Sequence, residues 1–291
     1  MIDIIVPTYN RPDDIKRFVA KIREQEFKNF HVYIVDDCGV EEIRHLIPEN
    51  NPHFTYIKLP ENRGQAFARN VAIEKGNGEI IVSLDDDAWF EKPDGLSLIA
   101  EYFTTYSKLG CLMFDVRTPN EDCLSSIHSV SADGQLLGSH ITCGCAYSRA
   151  ALKAINGFGG YLHSGAEETD VSLKLTLQGY ELRFALKISV FHNYLPGVRS
   201  KEWYRMLRFN TTRNDLLIII MRYPLIYVLP YFFGKYFSHV LYSFKNSRDS
   251  MVAGLYTLLS LPAVLMKLPV AIANRRALTV DMFNKWVKIR W

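Results

Sequence analysis

The sequence predicts an α/β fold, in which a mostly parallel sheet is flanked by helices and followed by a helical C-terminal region. Three observations support this prediction. Short β-branched runs alternate with helical patterns up to about residue 116. The runs are apolar throughout, as expected for parallel strands that are buried on both faces. A length of 291 residues with 48% hydrophobic side chains suffices for one large domain and an appendage, which excludes a disordered chain, a collagen-like repeat and a disulfide-stapled miniprotein.

The first 116 residues contain five predicted strands and three predicted helices. In the first helix Asn10 is the expected N-cap, and Pro12 lies in the first turn, where its fixed φ favours helix initiation. The strands are Ile2–Val6, His31–Val35, Phe54–Leu59, Ile80–Leu84 and Cys111–Val116. The helices are Arg11–Gln25, Gln65–Lys75 and Leu96–Ser107.

Beyond residue 116 the pattern is less regular. Asp133-Gly134 is a dipeptide typical of tight turns, so we expect a hairpin there. A glycine-rich loop over Asn156–Gly165 precedes a predicted helix at Glu168–Gln178, which Gly179 ends as a C-cap. Two further strands are predicted at Leu182–Ala185 and Ile188–His192.

Charge divides the chain into two unequal parts. Residues 1–195 carry 19 Lys and Arg against 27 Asp and Glu, a net charge of −8. Residues 196–291 carry 15 against 4, a net charge of +11. An acidic front followed by a basic, apolar tail indicates a membrane or a nucleic acid as the partner of the tail.

The C-terminal region contains two uncharged apolar runs. Tyr223–Gly234 and Met251–Met266 follow a predicted helix over Trp203–Met221, and both are shorter than the about 20 residues that span a bilayer. Lysines and arginines flank both runs, a pattern typical of helices that lie in the membrane interface. A buried helical subdomain, a dimer face and a transmembrane hairpin are the alternatives.

The cysteines and the N-terminus indicate the cellular compartment of the protein. Five cysteines at irregular spacing form neither a disulfide framework nor a zinc-binding pattern. Cys143 and Cys145 are interpreted as small buried residues on a strand. The N-terminus has no basic segment before its first strand, so we expect no signal peptide and a reducing cytoplasm around the protein.

Acidic residues end two of the predicted strands at one edge of the sheet. Asp36-Asp37 follows the second strand and Asp85-Asp86-Asp87 follows the fourth, and ligands on such sheets bind at the carboxyl ends of the strands. Carboxylates this close raise one another's pKa or bind a cation, and oxygen ligands select hard ions such as Mg²⁺ or Mn²⁺. A solvated turn would explain the three aspartates alone, but not together with the second acidic pair. The combination predicts a nucleoside diphosphate held by a metal ion.

Two common phosphate-binding sequences are missing. The chain contains no G-x-x-x-x-G-K-[ST] loop and no G-x-G-x-x-G after its first strand. Without a glycine cradle or a P-loop lysine, a metal ion must neutralise most of the phosphate charge. This favours a diphosphate leaving group over γ-phosphoryl transfer.

The ordered motifs of the chain resemble those of the family 2 glycosyltransferases with the GT-A fold. Four motifs stand in the family's order within 90 residues. Two further matches follow, Glu167-Glu168-Thr169-Asp170 and His192. The resemblance covers about residues 2–215. The four are Val6-Pro7-Thr8-Tyr9-Asn10-Arg11, Ile34-Val35-Asp36-Asp37, Glu61-Asn62-Arg63-Gly64 through Ala68-Arg69-Asn70, and Leu84-Asp85-Asp86-Asp87.

The resemblance implies roles for individual residues at the donor site. The nucleotide base would lie against Pro7, Thr8, Tyr9 and Asp37, with Asp36 nearby and Arg69 helping to hold the nucleotide. Asp85, Asp86 and Asp87 carry the D-x-D motif. By this resemblance its outer residues Asp85 and Asp87 would bind Mn²⁺ or Mg²⁺, with Asp87 as the direct ligand and His192 as a further ligand or a diphosphate contact.

The resemblance also implies an inverting displacement with a carboxylate as general base. Glu168 stands at the matching position, where the family more often has aspartate, so the geometry of the acceptor is expected to differ. Asp170 either touches the substrate or positions the start of its helix. The base takes the proton of the acceptor hydroxyl while the metal stabilises the departing diphosphate.

These inferences predict a GT-A catalytic domain over residues 1–215, with a nucleotide-sugar half at about 1–116 and an acceptor half at about 117–215. Residues 216–291 would form a helical, membrane-associated region. The predicted enzyme transfers sugar from a UDP- or dTDP-sugar to a glycan or a lipid-linked acceptor in surface polysaccharide synthesis. It would be peripheral on the cytoplasmic side of the membrane and would bind no nucleic acid.

Two other functions fit part of the sequence. A metal-dependent nucleotidyltransferase also places carboxylates on an α/β sheet, but it usually needs a basic, glycine-rich N-terminal loop, which Pro7–Arg11 is not. A nucleic-acid-binding protein would use the basic tail, but Tyr and Phe there lie inside apolar runs and do not alternate with Lys and Arg.

Overall fold

The computed structural model describes residues 1–48, 51–119, 130, 132–162, 164–193, 200–246 and 250–289, and of residues 246 and 250 the backbone alone. Eight strands form one sheet in the order β3-β2-β1-β4-β7-β6-β8-β5. The strands are β1 Ile2–Thr8, β2 Phe30–Asp36, β3 Phe54–Lys58, β4 Ile80–Leu84, β5 Ala88–Phe90, β6 Leu109–Arg117, β7 Gly144–Ser148 and β8 Glu181–His192.

Parallel pairs predominate in this sheet. β3, β2, β1 and β4 are parallel neighbours, and β6 is parallel to β8. β7 runs antiparallel between β4 and β6, and the short β5 pairs antiparallel with the end of β8. The predicted α/β class with a mostly parallel sheet is therefore confirmed.

Helices cover both faces of the sheet, as the apolar strands predicted. Ile4 of β1 packs into the core under α1 and α3, whereas its neighbour Ile5 packs into the core under α2, α4 and α5. These helices are α1 Pro12–Ile22, α2 Gln65–Lys75, α3 Gly95–Thr105, α4 Arg149–Ala154 and α5 Glu167–Leu177. The predicted bounds of the second helix are confirmed.

Both predicted ends of α1 differ, whereas the ends of α3, α5 and α6 lie within two residues of the predicted ones. Asn10 is not the N-cap of α1: it has φ of 55°, and its Oδ1 accepts a hydrogen bond from Val40 N at 2.7 Å. Arg11 occupies the cap position. The same helix ends at Ile22 because Gln25 bonds to Lys92 O and Leu96 N at the start of α3. Gly179, with φ of 79°, closes α5 as predicted.

The hairpin expected at Asp133-Gly134 is wrong for the described residues. The dipeptide does form a turn, with Gly134 at φ of 76°. However, Gly134 N donates to Phe184 O, and Leu136 bridges to Arg183. The turn thus docks on β8, which is one strand where the sequence predicted two.

Four helices form the C-terminal region: α6 Lys201–Arg222, α7 Leu225–Asn246, α8 Ser250–Ala273 and α9 Val280–Ile289. They share a third core with Leu162, Ala166 and Leu173, so the tail packs against the start of α5. The boundary predicted at residue 215 falls inside α6. None of the helices in the described ranges combines the length and the apolar character needed to cross a membrane.

Candidate active site

A cleft of about 530 Å³ lies at the carboxyl ends of β1, β2 and β4, where the sequence placed the chemistry. The sheet contributes its floor, and α6 closes one side. Its lining consists of Pro7, Thr8, Tyr9, Arg11, Asp37, Asn62, Gly64, Gln65, Asp85, Asp86, Ser164, Trp203, Met206, Leu207 and Asn210. Tyr9 is half-exposed, so its ring face is accessible to a ligand.

The acidic pair after β2 organises the cleft wall. Asp37 lines the cleft, and its carboxylate oxygens accept hydrogen bonds from Arg63 N and Gly64 N, each at 2.8 Å. Asp36 is buried and accepts from Gly39 N at 2.7 Å and from the Tyr56 hydroxyl at 2.9 Å. Both aspartates therefore fix the loops around the predicted base pocket, and of the two only Asp37 reaches its surface.

Asp85 is held by a buried arginine. Arg69 of α2 is fully buried and donates from Nη2 to Asp85 Oδ1 at 2.6 Å and from Nε to Ser83 Oγ at 3.1 Å. The sequence predicted that Arg69 holds the nucleotide. Since Arg69 does not line the cleft, the structure places it behind Asp85, whose carboxylate it orients.

Asp86 ties the first strand to the acidic turn. Its carboxylate accepts a hydrogen bond from Thr8 Oγ1 at 2.7 Å and an ion pair from Arg11 Nη1 at 2.7 Å. Burial raises the pKa of Asp86 to about 7, and the charge of Asp87 adds to the increase against the opposing effect of Arg11. This residue positions Thr8 and Arg11 at the cleft.

Asp87 and His192 meet because β5 pairs with β8, which sets Ala88 opposite His192. His192 Nε2 lies 3.2 Å from Asp87 Oδ1, and Arg11 Nη1 lies 2.6 Å from Asp87 Oδ2. Burial alone would raise the pKa of Asp87, but His192 and Arg11 hold it at about 2. For His192 the effects are reversed: burial alone would lower its pKa, but the two carboxylates Asp87 and Asp85 raise it.

The donor set around these residues fits a divalent cation. Ligand atoms of Asp85, Cys143 and His192 lie within 4.8 Å of one another, and Asp87 adjoins His192. Carboxylate oxygens and an imidazole nitrogen suit Mn²⁺ or Mg²⁺. Burial raises the pKa of the Cys143 thiol, so it stays protonated and is a poor ligand for a hard ion. Of the predicted ligands, His192 thus lies beside both Asp85 and Asp87, whereas Asp87 falls outside the group of Asp85, Cys143 and His192.

A second group of carboxylates lies beside the first. Oxygens of Asp14, Asp86 and Asp87 also lie within 4.8 Å of one another. Arg11 Nη1 bonds to Asp86 and Asp87, and Arg11 Nε lies 3.6 Å from Asp14, so one guanidinium bridges this group. Sequence reasoning missed Arg11 as a site residue. The signal was a cation in the β1–α1 loop facing an edge rich in aspartate.

The start of α5 presents the candidate base. Glu167 is buried and accepts a hydrogen bond from Gln65 Nε2, a contact that the sequence did not suggest. Glu168 is partly exposed to solvent. Its carboxyl lies in a confined environment, and burial together with the charge of Glu167 raises its pKa to about 8. A carboxylate with such a pKa accepts a proton more readily than an ordinary glutamate near neutral pH.

Asp170, the other predicted catalytic residue, lies away from the cleft. It is fully buried and accepts from Arg222 Nε at 2.6 Å and from the Tyr161 hydroxyl at 2.7 Å. Arg222 in turn donates to Asn274 O at 2.9 Å, after the end of α8. Asp170 therefore joins α5 to the C-terminal helices, and this geometry supports the positioning role.

Residues 3–122, which include both acidic motifs, match the family model described as glycosyl transferase family 2. The chain carries a family 2 glycosyltransferase domain. A Bacillus subtilis protein whose name assigns it to teichuronic acid biosynthesis, the glycosyltransferase TuaG, is 30% identical over 156 residues, which cover 49% of this chain and 60% of that protein. The chain thus spans less than two thirds of the length of this family 2 relative.

Solved structures confirm the GT-A fold of this chain. Residues 1–349 of Staphylococcus aureus TarS in complex with UDP-GlcNAc superimpose with a TM-score of 0.64 at 18% identity, covering 94% of this chain and 83% of that TarS fragment. The mannosyltransferase PcManGT from Pyrobaculum calidifontis, in complex with GDP-Man and Mn²⁺, gives 0.61 at 19% identity, covering 99% of this chain and 83% of that one.

Proposed function

We propose that this protein is a metal-dependent, inverting glycosyltransferase of surface polysaccharide synthesis. It transfers a sugar from a nucleoside-diphosphate sugar to a hydroxyl of a glycan or a lipid-linked acceptor. The observation that carries the proposal is that His192 lies beside both Asp85 and Asp87, and that Asp85 lines the cleft of a family 2 domain. The relative named for teichuronic acid biosynthesis supports the polysaccharide context.

We assign the nucleotide base of the donor to the wall formed by Pro7–Tyr9 and Asp37. The diphosphate then lies at the acidic turn Asp85–Asp87. A UDP- or dTDP-sugar is the proposed donor, in keeping with the UDP-GlcNAc bound by TarS. A divalent cation bound by Asp85, Asp87 and His192 would supply positive charge to the leaving diphosphate. Arg69 holds Asp85 and Arg11 holds Asp87, so the ligands are oriented before substrate binds.

Glu168 is the proposed general base. In one displacement it takes the proton of the acceptor hydroxyl, and that oxygen forms a bond to the anomeric carbon. The bond from the anomeric carbon to the diphosphate oxygen breaks, and its electron pair leaves with the nucleoside diphosphate. Attack from the face opposite the leaving group inverts the anomeric configuration.

A donor screen tests the proposed function. The purified protein is incubated with Mn²⁺ and a panel of UDP-, dTDP- and GDP-sugars, and nucleoside diphosphate release is measured with and without acceptor glycans. We expect release from a UDP- or dTDP-sugar, and NMR of the product should show an anomeric configuration opposite to that of the donor. Release of inorganic pyrophosphate from nucleoside triphosphates instead would indicate a nucleotidyltransferase.

We also propose that α7 and α8 lie on the cytoplasmic face of the membrane. Both helices expose large apolar side chains, and lysines and arginines flank them, which is the arrangement of interfacial helices. The exposed residues include Leu225, Ile226, Leu229, Phe233, Phe237 and Leu241 on α7 and Met251, Leu255, Leu259, Leu265 and Met266 on α8.

Liposome sedimentation tests this membrane contact. The protein should bind anionic vesicles more strongly than neutral ones, since each basic residue near the surface contributes about 1 kcal/mol that salt screens. Replacing Leu229, Phe233 and Phe237 together by Glu should abolish binding without lowering Tm, because all three are exposed. Leu186→Glu, at an exposed leucine on β8, is the control and should bind normally. Full solubility without detergent and no vesicle binding at low salt would contradict the proposal.

A further inference from the structure

Arg11 is the only cationic side chain among the described residues that line the donor cleft. Three carboxylates line the same space, those of Asp37, Asp85 and Asp86. Of the other cations at the site, Arg69 is fully buried behind Asp85, and His192 is not among the described lining residues. A diphosphate that enters the cleft therefore faces a mostly acidic wall, in which the described residues offer it one fixed positive charge.

Three carboxylates hold the guanidinium of Arg11 in one orientation. Its Nη1 donates to Asp86 Oδ1 at 2.7 Å and to Asp87 Oδ2 at 2.6 Å. Its Nε lies 3.6 Å from Asp14 Oδ2. The direction of the planar guanidinium is thus fixed before a ligand arrives, which lowers the entropy cost of binding that ligand.

The second amino group of the guanidinium is left for a ligand. Within the described part of the chain, no oxygen accepts a hydrogen bond from Arg11 Nη2. The side chain is 33% exposed, and Nη2 is not among the buried polar atoms that lack a partner, so solvent reaches it. Because the N–H groups of a guanidinium point in fixed directions, one amino group can bond to carboxylates while the other bonds to a second anion. Arg11 Nη2 therefore offers hydrogen-bond donors to an anion in the cleft.

The position of Arg11 matches the phosphates of a nucleotide. Its partners Asp86 and Asp87 belong to the acidic turn, where we place the diphosphate. Thr8 of the wall assigned to the base also donates to Asp86, at 2.7 Å, so this carboxylate joins the base wall to Arg11. A nucleotide whose base lies against Pro7–Tyr9 thus brings its phosphates towards the guanidinium.

We propose that Arg11 binds the diphosphate of the donor directly, through Nη2, and shares the charge of the leaving group with the cation. The inference rests on the proposed glycosyl transfer and gives the diphosphate a contact on the protein itself. Because this contact needs no metal ion, the cleft should prefer a nucleoside diphosphate over the nucleoside even without a divalent cation. A guanidinium that only oriented Asp87 would give no such preference.

Three substitutions separate the phosphate contact from other effects of charge. Arg11→Gln removes the positive charge from the cleft. Arg11→Lys keeps a cation beside Asp86 and Asp87 but has no second amino group. Arg17→Gln is the matched control, since it removes the same charge from the same helix, at a side chain that is 52% exposed, that lies 3.2 Å from Asp14 and that is absent from the described lining of the cleft.

Calorimetry compares UDP with uridine and dTDP with thymidine, in EDTA and in Mn²⁺. In EDTA the intact protein and Arg17→Gln should bind a diphosphate about tenfold or more tightly than its nucleoside. Arg11→Gln should raise the Kd of the diphosphate about tenfold or more in EDTA, which is the loss expected for one hydrogen bond between charged groups. Its Kd for the nucleoside should stay within about twofold, and the diphosphate Kd of Arg11→Lys should lie between those of the intact protein and Arg11→Gln.

The affinity for Mn²⁺ alone distinguishes the phosphate contact from a purely positioning role. Arg11 bonds to Asp87 Oδ2 at 2.6 Å, so its removal frees negative charge at that carboxylate. Without nucleotide, Arg11→Gln should therefore bind Mn²⁺ at least as tightly as the intact protein, as measured by the EPR signal of free Mn²⁺. If Arg11 only oriented Asp87 for the cation, Mn²⁺ would bind more weakly to the variant.

Two results would overturn the phosphate contact. The first is an intact protein that binds UDP or dTDP with Mn²⁺ but in EDTA binds neither more tightly than its nucleoside. This result needs no variant, so it decides the question even if Arg11→Gln does not fold. The second is a loss of diphosphate affinity in Arg11→Gln that occurs only with Mn²⁺. Failure of the proposed function itself has a different signature, namely no nucleoside diphosphate release from any donor sugar.

Discussion

Asp87→Asn is expected to lower the rate of sugar transfer by roughly 10²-fold or more, on the scale of losing one transition-state charge contact. The substitution keeps the size of the side chain but removes the negative charge that lies 3.2 Å from His192 and 2.6 Å from Arg11. The diphosphate would then lose the cation that it shares with this carboxylate. Initial rates over a Mn²⁺ titration, together with the Kd of UDP with and without Mn²⁺, measure both effects.

A matched substitution separates the two carboxylate groups at the site. Asp14 lies in the group with Asp86 and Asp87 but outside the group with Asp85 and His192. If the cation is bound as proposed, Asp14→Asn should leave the Mn²⁺ dependence unchanged, whereas Asp85→Asn should weaken it. A rate that stays within about twofold of the original, both in Asp87→Asn and after treatment with EDTA, would show that the metal-dependent mechanism is wrong.

The local sequence pattern was sufficient to predict most strands of the sheet. The five β-branched runs up to residue 116 each became a strand, because strands that are buried on both faces need apolar residues throughout. The bounds of α2 were also predicted, since Gly64 and Gly76 flank a continuous helical pattern. The Asp133-Gly134 turn was assigned the wrong partner because its contact, Phe184, lies about fifty residues away in the chain.

The chemistry of the site was more predictable than its geometry. Residue type and strand position indicated Asp37, Asp85 and Asp87, and the family resemblance added His192. The ion pairs that orient them depend on side-chain direction, which a sequence pattern does not specify. Arg11 bonds to Asp86 from 75 positions away. Contacts between residues this far apart in the chain can be predicted only when the order of the strands in the sheet is known.

Long-range contacts also define the surroundings of Arg69 and Asp170. Arg69 bonds to Asp85 behind the cleft surface, and Asp170 pairs with Arg222 from 52 positions away. The motif gave their residue types correctly. Only the packing of α2 against β1 and β2, and of α6 against α5, shows that they orient other groups.

Glu168→Gln is expected to lower kcat by about 10²–10⁴-fold, which is the contribution of a positioned base, while the Kd of the donor stays close to the original. Glutamine keeps the shape of the side chain but cannot accept the proton of the acceptor hydroxyl. Because the pKa of Glu168 is raised to about 8 by burial and by Glu167, the base is largely protonated at pH 6. The rate of the intact enzyme should therefore rise with pH and level off above about pH 8, and the variant should lack this rise.

Asp170→Asn distinguishes a chemical role from a structural one at the same helix. Removing one partner of the buried Asp170–Arg222 pair leaves an unpaired buried charge, which typically costs about 3–5 kcal/mol of stability. We therefore expect this variant to unfold at lower urea concentration, and the folded fraction should keep the pH profile of the intact enzyme. Near-normal turnover in Glu168→Gln, together with a large loss of kcat in Asp170→Asn at unchanged stability, would assign the base to Asp170. The pH profile assigns the base to Glu168 if the rise in rate up to about pH 8 is lost in Glu168→Gln and kept in Asp170→Asn.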